Sequence, residues 1–135
     1  MQEQLQRLFE RWQATLHETE RAMEVQTGAV LTVNGKQIAA YHYHAALRGV
    51  QATYQDMLAS LSRVLEGEAT LQEMVDDYED SRRIAPSVDW MEEGPFKTSQ
   101  EISRYCEDEE MKEIYKLLPS RKQVPQGKDV STNDN

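Results

Sequence analysis

The side chains in this sequence that can hold a metal, move a proton or attack a substrate are the pair His42 and His44, the acids of 76–80, the acidic run 107–110 and the single thiol of Cys106. On a β-strand an HxH pair points both imidazoles to one side, where they can grip a metal. On a helix the same spacing turns them about 200° apart. Alanines at 39, 40, 45 and 46 favour the helix. No Glu-x-x-His, His-Glu-x-x-His or paired-cysteine spacing accompanies the pair, so surface or interface histidines are the simpler reading. Asp76, Asp77 and Asp80 lack the glycine and closing glutamate of a calcium loop, and read as a solvated face. The run 107–110 does not supply the repeated Glu-Glu-x-x-Glu ligand pattern of helical nucleotide pyrophosphatases. Cys106 has only Arg104 as a nearby cation and reads as a small helix-face residue, not a nucleophile. Glycine-rich phosphate loops and nucleophile elbows are absent from the sequence. The expectation is a non-enzymatic protein without metal or cofactor.

The elements that would position these groups are helices. Leu5, Phe9, Trp12, Leu16, Thr19, Met23, Gln26 and Val30 alternate spacings of four and three, with Leu8 widening the stripe, and predict a coiled-coil-like helix over about 3–30. A second helix, about 36–66, carries two faces suited to burial. One holds Ala40, Tyr43, Leu47, Val50, Tyr54, Met57, Leu61 and Val64; the other holds Ile38, Ala45, Gly49, Ala52 and Ala59. Small residues admit a close neighbour, and the first helix can cover only one face. Ala45, Gly49 and Ala52 are therefore candidate oligomer-interface residues, with a homodimer as the expected assembly. Together the elements predict an all-α small helical bundle built on a long helix hairpin plus two shorter C-terminal helices.

Between the long helices lies Asn34-Gly35, which has two readings. Asn34 with Gln37 can form a capping box that starts the second helix, and this reading is preferred. The alternative is a short β-hairpin at 30–39, pairing Leu31 with Ile38 and Val33 with Lys36. It ranks second because an isolated two-stranded ribbon is marginal.

After Gly67, Thr70 and Glu73 form a second capping box, opening a helix to about Arg83 with Leu71, Met74, Val75 and Tyr78 on one face. Residues 67–95 contain nine acids against Arg82 and Arg83, which is −7 of the chain's −9. Residues 84–97 form a connector broken by Pro86, Gly94 and Pro95. Its Trp90, Met91 and Phe96 are expected to fold onto the small-residue face of the second helix, or else to serve as partner anchors. A last helix is expected from Thr98, capped with Glu101, to Leu118, kinked at 107–110. Residues 1–118 then make one helical domain and 119–135 a polar, flexible tail.

Charge and composition exclude several classes of function. A formal charge of −9 disfavours direct nucleic-acid binding or an anionic membrane and favours a protein partner with a neutral or basic surface. One cysteine, no signal-like segment and no apolar run long enough for a bilayer suggest the cytoplasm of a cell or of an infected host. The paired long helices, acidic balance and polar tail are loosely similar to small cytosolic secretion or assembly chaperones and to phage-encoded inhibitors, a likeness of form that no motif carries. The expected function is a protein–protein interaction module (regulator, inhibitor or assembly chaperone) acting through apolar helix faces and an acidic surface. The candidate partner-binding residues are Asp76, Asp77, Asp80, Trp90, Met91 and Phe96. Ranked below it are an acidic nucleic-acid mimic blocking a basic groove and, last, a helical-bundle metal protein or enzyme using His17, His42 and His44.

Overall fold

The protein is described by a computed structural model covering residues 1–26, 31–33, 36–38 and 40–119. The described residues form an all-α bundle of four helices, α1 (Gln2–Gln26), α2 (Ala40–Leu65), α3 (Leu71–Ile84) and α4 (Pro95–Leu117), with two short strands, β1 (Leu31–Val33) and β2 (Lys36–Ile38), between the first two. None of these helices is long and apolar enough to cross a membrane.

The predicted stripe of α1 turns inward as its spacing requires. Leu5, Leu8, Trp12 and Thr19 are buried, with Phe9 and Leu16 half-buried beside them. Its contacts run antiparallel to α2: Gln51 Nε2 donates to Glu20 at 3.2 Å, and the Trp12 and Tyr54 rings meet edge-on at 6.5 Å. At the far end, Gln2 Nε2 reaches the Leu65 carbonyl at 3.4 Å. The part of the predicted first helix at 27–30, including Gly28, lies outside the described residues.

The segment between α1 and α2 takes the hairpin, not the preferred cap. β1 and β2 pair antiparallel, with Leu31 opposite Ile38, Thr32 opposite Gln37 and Val33 opposite Lys36. Gln37 and Ile38 therefore belong to a strand, and α2 starts at Ala40, four residues later than expected. The β-branched Val33, Thr32 and Ile38 suit a strand better than a first helical turn, and local preference prevails over the capping signal. The Asn34-Gly35 turn itself lies outside the described residues.

The end of α2 is closed by backbone chemistry. Gly67 adopts φ +80°, a left-handed conformation that a β-carbon disfavours. Its N–H bonds the Val64 carbonyl at 3.1 Å while the Glu68 N–H bonds the Arg63 carbonyl at 2.9 Å, which is a Schellman stop. The expected capping box then starts α3: Glu73 N–H donates to Thr70 Oγ1 at 3.0 Å, and Thr70 N–H donates to Glu73 Oε1 at 2.7 Å.

α4 starts at Pro95 rather than Thr98, so the Thr98–Glu101 box does not form; Thr98 N–H instead bonds the Gly94 carbonyl at 3.0 Å. Proline suits a first helical position because its missing N–H would have had no partner there. No break in the helix falls at 107–110: α4 runs on to Leu117, because each acid finds a place of its own.

The core joins all four helices. Leu5, Leu8 and Trp12 meet Tyr54, Met57 and Leu61, with Met74 and Val75 from α3, Met111 and Ile114 from α4, and Leu118 at the C-cap of α4. Each fully buried side chain of this kind contributes about 1.5–3 kcal/mol.

Candidate functional site

The small-residue face of α2 is covered within the chain. A β-carbon built on Gly49 would overlap the Ser99 carbonyl oxygen and lie 3.3 Å from Ser99 Cα, so α4 lies directly against α2 there. One turn on, buried Thr53 donates from Oγ1 to the Ser103 carbonyl at 3.2 Å and also bonds the Ser103 hydroxyl. The buried set is thus Ala45, Gly49 and Thr53, and Ala52 and Ala59 stay exposed. Of the expected interface residues, Gly49 is occupied by α4 and Ala45 is buried, so neither is open to a second copy. The sequence reading missed the partner because Ser99, Ser103 and Cys106 are themselves small and were not recognised as the complementary stripe.

Below that contact lies a buried polar node that the sequence reading did not find. Glu110, 7% exposed, turns into the core. Arg11 approaches its carboxylate with two nitrogens, at 2.5 and 3.2 Å; Trp12 Nε1 donates at 2.9 Å, and the Tyr54 hydroxyl donates to the other oxygen. Burial acts to raise the Glu110 pKa, but hydrogen bonds from Arg11, Tyr54 and Trp12 outweigh it and hold the carboxyl below its ordinary range. The Tyr54 phenol is pushed upward, first by burial and then by its bond to Glu110. An ionised carboxylate with every oxygen engaged by donors is an organiser of packing, not a proton carrier poised for transfer. Its signal was present in the stripe Ser99, Ser103, Cys106, Glu110, Ile114, whose helical spacing places Glu110 on the buried side.

Of the rest of the acidic run, Glu107 and Asp108 fasten α3, while Glu109 pairs with Lys112 on α4 itself. Arg82 Nη2 lies 2.8 Å from Glu107 and 2.9 Å from Asp108, and its guanidinium carbon sits 5.1 Å from the centroid of the Tyr78 ring. Tyr78 donates to Asp108 at 2.6 Å, and Tyr115 donates to Glu79 at 2.5 Å. The Cys106 thiol is half-buried and pushed upward by burial and by Glu110, which opposes the thiolate that a nucleophile needs. His44 and the backbone of His42 fall in α2, His17 is exposed on α1, and the described residues contain no metal-holding group of three or more His, Cys, Asp or Glu side chains.

The connector departs from the preferred expectation. Trp90 is 77% exposed and Phe96 66%, with Ile84 beside the connector's start at 83%; they do not fold onto α2. The segment is nevertheless tied down. Val88 is buried, Arg104 Nη1 donates to the Ala85 carbonyl at 2.7 Å, and Met91 N–H bonds the Val88 carbonyl at 3.0 Å. Trp90 Nε1 donates to the Ser87 carbonyl at 3.2 Å, so the one polar atom of the indole is engaged locally while its ring faces water. Met91 is half-buried.

The six expected partner residues do not form a single site. Asp76 and Asp77 line a furrow between α2 and α3, Asp80 is taken up by Arg83, and Trp90, Met91 and Phe96 follow the other end of α3. No family model matches the chain, and no curated protein and no solved structure matches it.

Proposed function

We propose that the protein is a non-enzymatic interaction module whose primary contact is the aromatic connector between α3 and α4. The observation that carries this reading is the exposure of Trp90, on a connector anchored at Ala85 and Val88, and of Phe96, in the first turn of α4 that follows it. Large apolar rings held out in water cost free energy unless a partner covers them, and tryptophan is the commonest energetic anchor of protein interfaces. Holding the indole through Ser87 reduces the ordering cost of binding.

Asp89 and Glu92, both exposed, flank the Trp90–Met91 pair, so the partner offers an apolar pocket with a neutral or basic rim. Regulators, inhibitors and assembly chaperones all fit this description. Self-association through the α2 face is not part of the proposal, because α4 already occupies Gly49 and Ala45 is buried. A reducing cytoplasmic setting belongs to the same reading, supported by the lone Cys106.

Photo-crosslinking in the cells that make the protein tests it. A benzophenone amino acid at position 90 or 96 should trap one and the same protein, and the same probe at exposed Gln13 on α1 should not. Identical products from all three positions, or none, would overturn the proposal.

A further inference from the structure

Two hollows share Ser60, Met74 and Asp77 and so form one continuous furrow. The wider part, about 320 Å³, lies where Arg63 and Val64 of α2 face Glu73 of α3. The narrower part, about 150 Å³, reaches Asp56 and Met57 on one side and Tyr78, Glu107 and Met111 on the other. Its floor is formed by Met57, Met74 and Met111, side chains that rearrange to fit what they contact. From Asp56 to Val64 the α2 wall spans about 12 Å, or two helical turns.

The rim is mainly acidic and only partly neutralised from within. Arg63 is the one cation lining it among the described residues and lies 4.0 Å from Glu68. Glu73 is engaged in the α3 cap, and Glu107 is met by Arg82. Asp56 on the α2 side and Asp76 and Asp77 on the α3 side are exposed and have no cationic partner among the described residues.

We infer that this furrow is a docking trough for a basic amphipathic helix of another protein. Its apolar residues at i, i+3 or i+4 and i+7 lie over Met57, Met74 and Met111, and its lysines or arginines reach Asp56 on one rim and Asp76 and Asp77 on the other. A second copy of this chain is the wrong occupant, since its charge of −9 repels the same rim. The surface is independent of the connector: Asp77 and Ile84 are about 10 Å apart along α3.

The test uses the full chain and a fluorescein-labelled four-turn synthetic helix with leucine at i, i+3 and i+7 and lysine elsewhere, read by anisotropy. Saturable one-to-one binding is expected. Ser60→Trp fills the trough without altering a charge and should weaken it by at least about tenfold. The triple change Asp56→Asn, Asp76→Asn, Asp77→Asn should weaken it at low salt and flatten its salt dependence. Trp90→Ala with Phe96→Ala should leave it unchanged, which separates this surface from the connector. Circular dichroism must show each variant folded. Equal binding of a scrambled helix of the same composition, or binding indifferent to Ser60→Trp, overturns the inference. So does binding that emerges only when residues 120–135 are removed, which would make the chain's own terminus the occupant, or a dimer that Ser60→Trp dissociates.

Discussion

Replacing Glu110 with alanine is the sharpest perturbation of the fold. The change removes the acceptor for Trp12 Nε1 and for the Tyr54 hydroxyl, side chains whose residues are 0% and 6% exposed. Each buried donor left without a partner costs about 1–3 kcal/mol. Arg11 adds little, since its side chain is 51% exposed and water can replace the carboxylate. The two together come to about 2–6 kcal/mol, which brackets the ~3–5 kcal/mol found when one member of a buried ion pair is deleted. For an ordered chain of this size that lowers Tm by about 10–20 °C. Glu110→Gln preserves the shape and one acceptor, and should cost about half as much. Tyr54→Phe introduced into Glu110→Ala removes one orphaned donor and should restore about 1 kcal/mol. Urea titration followed by circular dichroism reads all three. A cost below about 1 kcal/mol for Glu110→Ala would refute the reasoning, because it would mean the donors are solvated or satisfied elsewhere.

The same node sets an acid limit. A carboxyl whose folded pKa is depressed stabilises the protein above its unfolded value of ~4.3 and loses that contribution as pH falls through the lower folded value, so Glu110→Gln should flatten the stability profile below about pH 4.5. At the alkaline end the Tyr78 phenol is pushed up to about 12 by burial and by Asp108, and its contribution, full below the unfolded value of ~10, fades as pH rises through 12; phenolate absorbance should show that ionisation shifting to lower pH in Asp108→Asn. Gly49→Ala forces α4 away from α2 at Ser99 and should cost about 1–3 kcal/mol in denaturant melts, whereas Ala52→Ser, on the exposed side, should cost under about 0.5. Arg82→Ala should speed amide exchange in α3 before the rest of the bundle, since Arg82 ties α3 to Glu107 and Asp108. Acrylamide should quench Trp90 and spare Trp12, so Trp90→Phe should leave a weakly quenched emission.

The helices were legible wherever a periodic stripe met a strong terminator. Leu5 to Trp12, the Thr70–Glu73 box and the stop at Gly67 all followed from local residues. The Asn34-Gly35 region was misread because its capping and hairpin signals use the same residues, and only the strand preference of 31–33 and 36–38 separates them. Two errors concerned α4. Its acids 107–110 looked like a disturbance because charge is usually solvated, yet one faces the core and two grip Arg82. Its serines looked unremarkable, although Ser99 and Ser103 are what allow α4 to approach Gly49. Both depend on partners 26 to 98 residues away in sequence, beyond what periodicity alone reaches. The exposure of Trp90 was likewise outside local rules, which predict burial for large aromatics.

The proposed binding surface is the connector. With the protein trapped at position 90 purified, calorimetric titration of the wild type against Trp90→Ala combined with Phe96→Ala is the direct measurement. Loss of the two anchors should weaken binding by at least about thirtyfold, or ~2 kcal/mol, with the fold unchanged by circular dichroism. An affinity within twofold of the wild type would contradict it.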